Sequence, residues 1–236
     1  VANLLRAEGR KLIRSALWLP VLASPLLAVA WAVVAGPARA PAGHLAWATL
    51  FHVAAFPYAL LFLPLAVGVM AATACQVEHS AGGWTQMAAL PVSRLGVYAA
   101  KFAWVLAAVF VSEALFVAGG LLDGLVLGAV GPVPWADVCA TAALGGAACI
   151  PIAALQLWVG TVWESFGAQF AVSAILTIPA FIGLHHGAAL WYPWDQPALV
   201  MLGIAHGQAT VAVVAGYGTL LLAVGATHFV RRDWAG

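Results

Sequence analysis

Charge is scarce in this chain. Only 7% of its 236 residues are charged, against roughly a quarter in soluble globular domains. That shortage, with 64% apolar residues and a mean hydropathy of +1.01, excludes a soluble domain and indicates an integral membrane protein. A net charge of +1 supplies no field for nucleic acid, so no nucleic-acid partner is expected. Lysine is almost missing. Lys11 and Lys101 follow Arg10 and Ala100, so neither completes the Gly-Lys-Ser/Thr cradle of a nucleotide-binding loop, and the chain is not expected to hydrolyse ATP or hold a cofactor itself. His-Glu dipeptides are absent and no serine has glycine two places before it, which removes the zinc-protease and serine-hydrolase patterns. Cysteine is too sparse for a disulfide framework. Cys139 and Cys149 are expected on one helix about 15 Å apart, beyond disulfide reach, and Cys75 has no evident partner.

What is present is a series of apolar runs. Six fit membrane spans at residues 17–36, 45–75, 95–122, 138–162, 170–190 and 210–230, since about 20 residues of helix cross a bilayer. The expected fold is therefore an all-α integral membrane domain over residues 1–236. No cleavable signal sequence is expected, because the first run is of bilayer length and leads into Pro37 and Arg39. The second run is too long for an upright helix. It must tilt, kink at Pro57 or Pro64, or project beyond the bilayer. Ahead of the first span, residues 1–15 put Val1, Leu4, Leu5, Leu12 and Ile13 near one helical face and Arg6, Arg10 and Arg14 on another, the pattern of an amphipathic interfacial helix interrupted at Glu8 and Gly9.

Polar residues within or near the spans stand out. Lys101 lies close enough to the start of the third span to snorkel to the headgroups. Glu113 sits about 18 Å further along the same helix, too deep for escape, as a polar site expected to pair with a neighbouring helix rather than to relay protons. Gly120, Gly124 and Gly128 have the small-residue spacing of close helix contacts, but with Asp123 inside the pattern they read better as a glycine-rich exit from the membrane. His185, His186 and His206 share no ligand spacing with a cysteine or acid, so no metal site is expected. Residues 185–208 enclose an apolar piece too short to cross, which reads as a re-entrant segment between spans five and six.

Even span numbers put both ends on one side. With the termini inside, Arg6, Arg10, Lys11, Arg14, Arg94, Lys101, Arg231 and Arg232 lie on the cytoplasmic side and only Arg39 outside, as the positive-inside rule requires. The stretch from Gln76 to Lys101, between spans two and three, is then cytoplasmic, and its amphipathic piece from Trp84 to Leu90, stopped by Pro91, suits a short docking helix. Exposed Trp84 and Met87 would have little use in an ordinary solvated loop.

Glu78, Gly83-Trp84, Met87, Leu90-Pro91-Val92-Ser93-Arg94, Tyr98 and Lys101 resemble the cytoplasmic segment of the type-2, export-type permeases of bacterial ABC transporters, and within them the permease subunits of lantibiotic (bacteriocin) self-protection and drug export. The chain departs from many relatives in carrying Trp84 where they have a small polar residue. The resemblance implies a permease in the bacterial cytoplasmic membrane that pairs with a second permease copy or paralogue and with separate ATPase subunits, which bind the ATP and Mg. It implies ATPase coupling through Glu78, Gly83, Trp84, Met87, Leu90 and Pro91, and interface anchoring through Arg10, Arg14, Arg94 and Lys101. The competing expectation is a non-transport scaffold or assembly factor, or a facilitative channel. Sparse intramembrane charge counts against the channel.

Overall fold

The computed structural model describes residues 2–40, 44–80, 82–89, 91–186, 188–205 and 207–233, without the side chains of residues 2, 88, 89, 181, 184–186, 188 and 189. Leu90, His206 and the side chains of His185 and His186 therefore lie outside the described residues.

The apolar runs fold as α-helices, which satisfy every internal backbone group without water. In chain order they are α1 (Ala2–Ile13), α2 (Trp18–Ala35), α3 (Trp47–Pro57), α4 (Leu63–Ser80), α5 (Gly83–Ala89), α6 (Arg94–Leu127), α7 (Trp135–Ala148), α8 (Ile150–Val162), α9 (Phe166–His186), α10 (Gln196–Met201) and α11 (Gln208–Arg231). Among the described residues, five stretches are long and apolar enough to cross a membrane: Trp18–Ala35, Trp47–Ser80, Arg94–Leu127, Trp135–Val162 and Gln208–Arg231. The fifth expected span falls on α9, whose apolar piece Phe166–Ala180 is shorter than these.

The long second run resolves its mismatch by kinking and projecting together. Pro57 and Pro64 cannot donate backbone hydrogen bonds, and between them Tyr58–Phe62 widens into a π-type turn joining α3 to α4. The helix then continues to Ser80, 34 residues from Trp47. At 1.5 Å per residue that is about 50 Å, well past a hydrocarbon core of about 30 Å. The wide turn places Tyr58 in the core. Its hydroxyl shares a hydrogen bond with Ser112 (3.1 Å), which shares another with Ser24 (3.0 Å), and its ring stacks on Phe116 at 4.4 Å.

The glycine-rich exit expected at Gly120 and Gly124 is instead a helix contact. A Cβ on Gly120 would lie 2.5 Å from the Phe51 ring, and one on Gly124 would lie 2.1 Å from Trp47. The glycines admit α3 against α6, which runs to Leu127 and ends at Gly128 in the left-handed conformation (φ 68°). The expected single helix from Val138 is also interrupted. Cys149 stays in the right-handed region (φ −78°, ψ −6°) but forms a turn between α7 and α8, its N–H donating to the Gly146 carbonyl, and Pro151 occupies the first turn of the new helix. The short apolar piece between α9 and α11 is α10, buried against α7 and α3, with the Gln196 amide donating to the Leu190 and Tyr192 carbonyls.

Candidate functional site: a buried ion cluster at the root of a surface helix

The residues singled out between Gln76 and Lys101 gather at one end of the bundle around Lys101. The snorkelling expected of Lys101 does not occur: the residue is 1% exposed. Its ammonium donates to Glu8 Oε2 (2.7 Å), Glu78 Oε1 (3.1 Å) and the Ala74 carbonyl (3.1 Å). An ammonium has three protons, and all three are used. Lys11 completes the arrangement, donating to Glu8 Oε1 at 3.0 Å and Glu78 Oε1 at 2.7 Å. Two carboxylates and two ammonium groups thus neutralise one another, which is how charge can be buried without prohibitive desolvation cost. Burial by itself would lower the Lys11 pKa, but its hydrogen bonds and charge interactions with Glu78 and Glu8 raise it above the ordinary lysine value.

Glu8 corrects the expected role of α1. The residues that interrupted its apolar face are the ones that dock it. Glu8 is 2% exposed, and Gly9 accepts the Trp104 ring so closely that a Cβ would lie 2.3 Å from it. Trp104 Nε1 also donates to the Leu5 carbonyl at 2.9 Å. An interfacial helix would point its apolar side at lipid; α1 instead packs along α6. Arg6, Arg10 and Arg14 remain exposed.

The surface helix α5 stands on this cluster. Gly83 touches the Glu78 carboxylate, since a Cβ there would fall 2.1 Å from Oε2. Trp84 is 7% exposed, which corrects the expectation of an exposed anchor. Its ring lies 5.4 Å from the Lys101 ammonium in a cation–π contact and 5.3 Å from Phe229. Its indole N–H donates to His79 Nδ1 at 3.2 Å. The other His79 nitrogen, Nε2, is then the protonated one and donates to the Gly160 carbonyl at 2.8 Å. One indole therefore links α5 to α4, α6 and α11, and through His79 to α8. The outward residues of α5 are Thr85 and Gln86, while Met87 is half-buried. Pro91 is exposed beyond the helix end, and Ser93 caps α6 by accepting from the Gly96 N–H at 3.2 Å.

Arg94, expected as an interface anchor, caps a helix. It donates to the Val230 and Arg232 carbonyls at 3.1 and 3.0 Å, where the C-terminal end of α11 leaves acceptors unsatisfied and a cation favoured. Arg232 in turn donates to the Thr161 carbonyl at the end of α8 (2.7 Å). Beside α5 a notch of about 300 Å³ opens between Glu78, His79, Trp84, Thr85, Glu164 and Arg232.

Glu113 is held differently. It is 2% exposed and neither oxygen has a hydrogen-bond partner among the described residues, so the hydrogen bond expected to pair it with a neighbouring helix is not made there. It packs instead against Gly145 and Gly146 of α7.

Sequence reasoning missed Glu8, Lys11, His79, Phe229 and Arg232. The one local signal was an acid and a glycine breaking the apolar face of a basic helix, which marks a polar contact surface rather than a defect.

No curated protein matches the chain. Residues 4–180 match the family described as ABC-2 family transporter protein, a stretch that includes most of α1, the ion cluster, α5 and most of α9. The chain belongs to the ABC-2 family of transporter proteins and is a multi-pass membrane permease of that family.

Proposed function

We propose that this chain is the transmembrane subunit of an ATP-driven exporter in a bacterial cytoplasmic membrane, and that α5 receives the movement of a separate ATPase subunit. The observation that carries this reading is the cluster beneath α5. A short surface helix with polar Thr85 and Gln86 outward is fastened through Trp84, Glu78 and Lys101 to the ends of long helices. A push on α5 must then either displace those helices or break a buried ion network. Rigid, fully paired contacts pass displacement on, whereas a solvated loop absorbs it. The notch beside α5, with Glu164 in its wall, suits a protruding side chain of the ATPase, whose own site binds the ATP and Mg.

Six spans with both termini inside are part of the proposal. Its support is that α1, α5 and the end of α11 meet at one end of the bundle, which calls for an even number of crossings, with α9 as the sixth. All lysines and arginines except Arg39 belong to that end, in keeping with the positive-inside rule. Export of a hydrophobic peptide, drug or lipid-like substrate, with a second permease copy or paralogue completing the pathway, agrees with the largely apolar spans.

The test is purification from native membranes in mild detergent. An ABC ATPase should co-purify, and its hydrolysis should rise when the permease is present. A chain that purifies without an ATPase under conditions that preserve the α1–α6 contact would instead be a scaffold or channel. Single cysteines at Thr85 and Ala136, both exposed, in a background lacking Cys75, Cys139 and Cys149 should label from opposite sides of the membrane.

A further inference from the structure

The end of the bundle opposite the ion cluster has the reverse electrostatics. There Arg39 is the single arginine or lysine, and its guanidinium donates to the Ala35 carbonyl. Four acids lie toward this half: Asp137 is exposed, while Glu113, Asp123 and Asp195 are buried. Among the described residues, both oxygens of Glu113, both of Asp195 and Oδ2 of Asp123 have no hydrogen-bond partner. A cavity of about 450 Å³ opens here between α3, α7 and α10, within the range of small-molecule sites. Phe51, Phe116, Val138, Leu144 and Met201 give it an apolar wall, and Asp137 with His52 a polar one.

Glu113 lies behind this wall. It precedes Phe116 by three residues on α6, and so shares its face. A Cβ on Gly145 would lie 3.3 Å from Glu113 Oε1 and 2.7 Å from Met201 Sδ, so the carboxyl and the thioether of a cavity-lining residue meet at the same glycine. Methionine is unbranched and repacks readily, so Met201 is the side chain at this contact that can yield. A second, almost wholly apolar cavity of about 380 Å³ lies between α7, α8 and the largely exposed α11, and shares Leu144 and Val200 with the first. Leu144 and Val200 thus stand between the two cavities.

We propose that the cavity between α3, α7 and α10 binds a small amphiphile with a single positive charge, entering laterally past Leu144 and Val200, with Glu113 as the counter-ion reached by movement of Met201. A buried carboxylate without a partner is costly, and a ligand cation in the cavity would supply the partner that Arg39, engaged with the Ala35 carbonyl, does not. The apolar walls take the body of the ligand, and the acids select its charge. This deepens the export reading above by naming a substrate class for the permease.

Tetraphenylphosphonium is a suitable probe, with neutral triphenylphosphine oxide as control. Binding of each to the purified full chain in nanodiscs, corrected with empty nanodiscs, requires no ATPase, so its outcome is independent of whether an ATPase associates. The cation should bind saturably. Glu113→Gln should weaken it at least tenfold, about 1.4 kcal/mol, while leaving the weaker binding of the neutral control unchanged. Thr141→Trp, which places an indole in the cavity and leaves the Glu113 side chain itself unaltered, should abolish both and covers the case in which Glu113→Gln fails to fold. Absence of cation binding above empty nanodiscs, equal binding by Glu113→Gln, or retained binding in Thr141→Trp would each overturn the proposal.

Discussion

Replacing Lys101 with methionine keeps the length of the side chain and removes the charge on which the cluster depends. Glu8 and Glu78 would then face Lys11 alone, with the Ala74 carbonyl and Glu8 Oε2 losing their donor. Lys101 is 1% exposed and Glu8 and Glu78 2% and 3%, so water does not compensate. Removing one partner of a buried ion pair costs about 3–5 kcal/mol, because the other charge is left uncompensated. For a chain of this size about 2–4 °C of melting temperature accompanies each kcal/mol, so Lys101→Met should melt roughly 6–20 °C lower in detergent. The double variant Lys101→Met, Glu8→Gln removes one charge of each sign and leaves the Lys11–Glu78 pair, at 2.7 Å, intact. It should recover much of the loss, which is the signature of coupling in a double-mutant cycle. A second reading comes from α1. Released from the cluster, its exposed Arg6, Arg10 and Arg14 should be cut faster by trypsin in Lys101→Met than in the parent. Additive losses in the double variant, or unchanged melting and proteolysis in the single one, would refute the claim that the cluster holds α1 and α5 to the bundle.

Trp84→Ala should cost about 3 kcal/mol or more in stability, the usual result of truncating a buried tryptophan, and should lower ATPase stimulation. Trp84→Phe keeps an aromatic face for Lys101 but loses the bond to His79, and should fall between the two. Charged replacements on the outward face of α5, Thr85→Lys with Gln86→Lys, should weaken ATPase co-purification severalfold with a melting temperature within a degree or two of the parent, since surface changes seldom alter stability by more than about 0.5 kcal/mol. Burial raises the Asp195 pKa from 3.8 to about 7. Its folded state therefore binds more protons than the unfolded state between those values, so melting temperature should fall as pH rises from about 4 to about 7 and level off above, and Asp195→Asn should flatten that dependence.

Membrane residence, helical class and the approximate spans were legible in the chain because each depends on local composition, and a bilayer reads composition over about 20 residues at a time. The short helix ahead of Pro91 was legible for the same reason: proline and a change of polarity act within a turn or two. The matched family, too, is one whose likeness was visible in the residues around Trp84. What the chain could not disclose locally is which residues face one another. Lys101 meets Glu8 across 93 positions and Glu78 across 23, and nothing in the spacing of those residues encodes the angle at which α1 crosses α6. A lone lysine near the start of a span has two low-energy outcomes, reaching for headgroups or pairing in the interior. Only the arrival of two acids from α1 and α4 decides for the second. Trp84 likewise reads as an exposed anchor along the chain, and becomes a buried strut because α11 brings Phe229 to its ring. The glycines at 120 and 124 look like the end of a helix until α3 lays Phe51 and Trp47 into them. Local propensity and hydropathy thus determined the helices and their solvent, whereas charge pairing and close packing, which act between elements far apart in sequence, were decided by the tertiary structure.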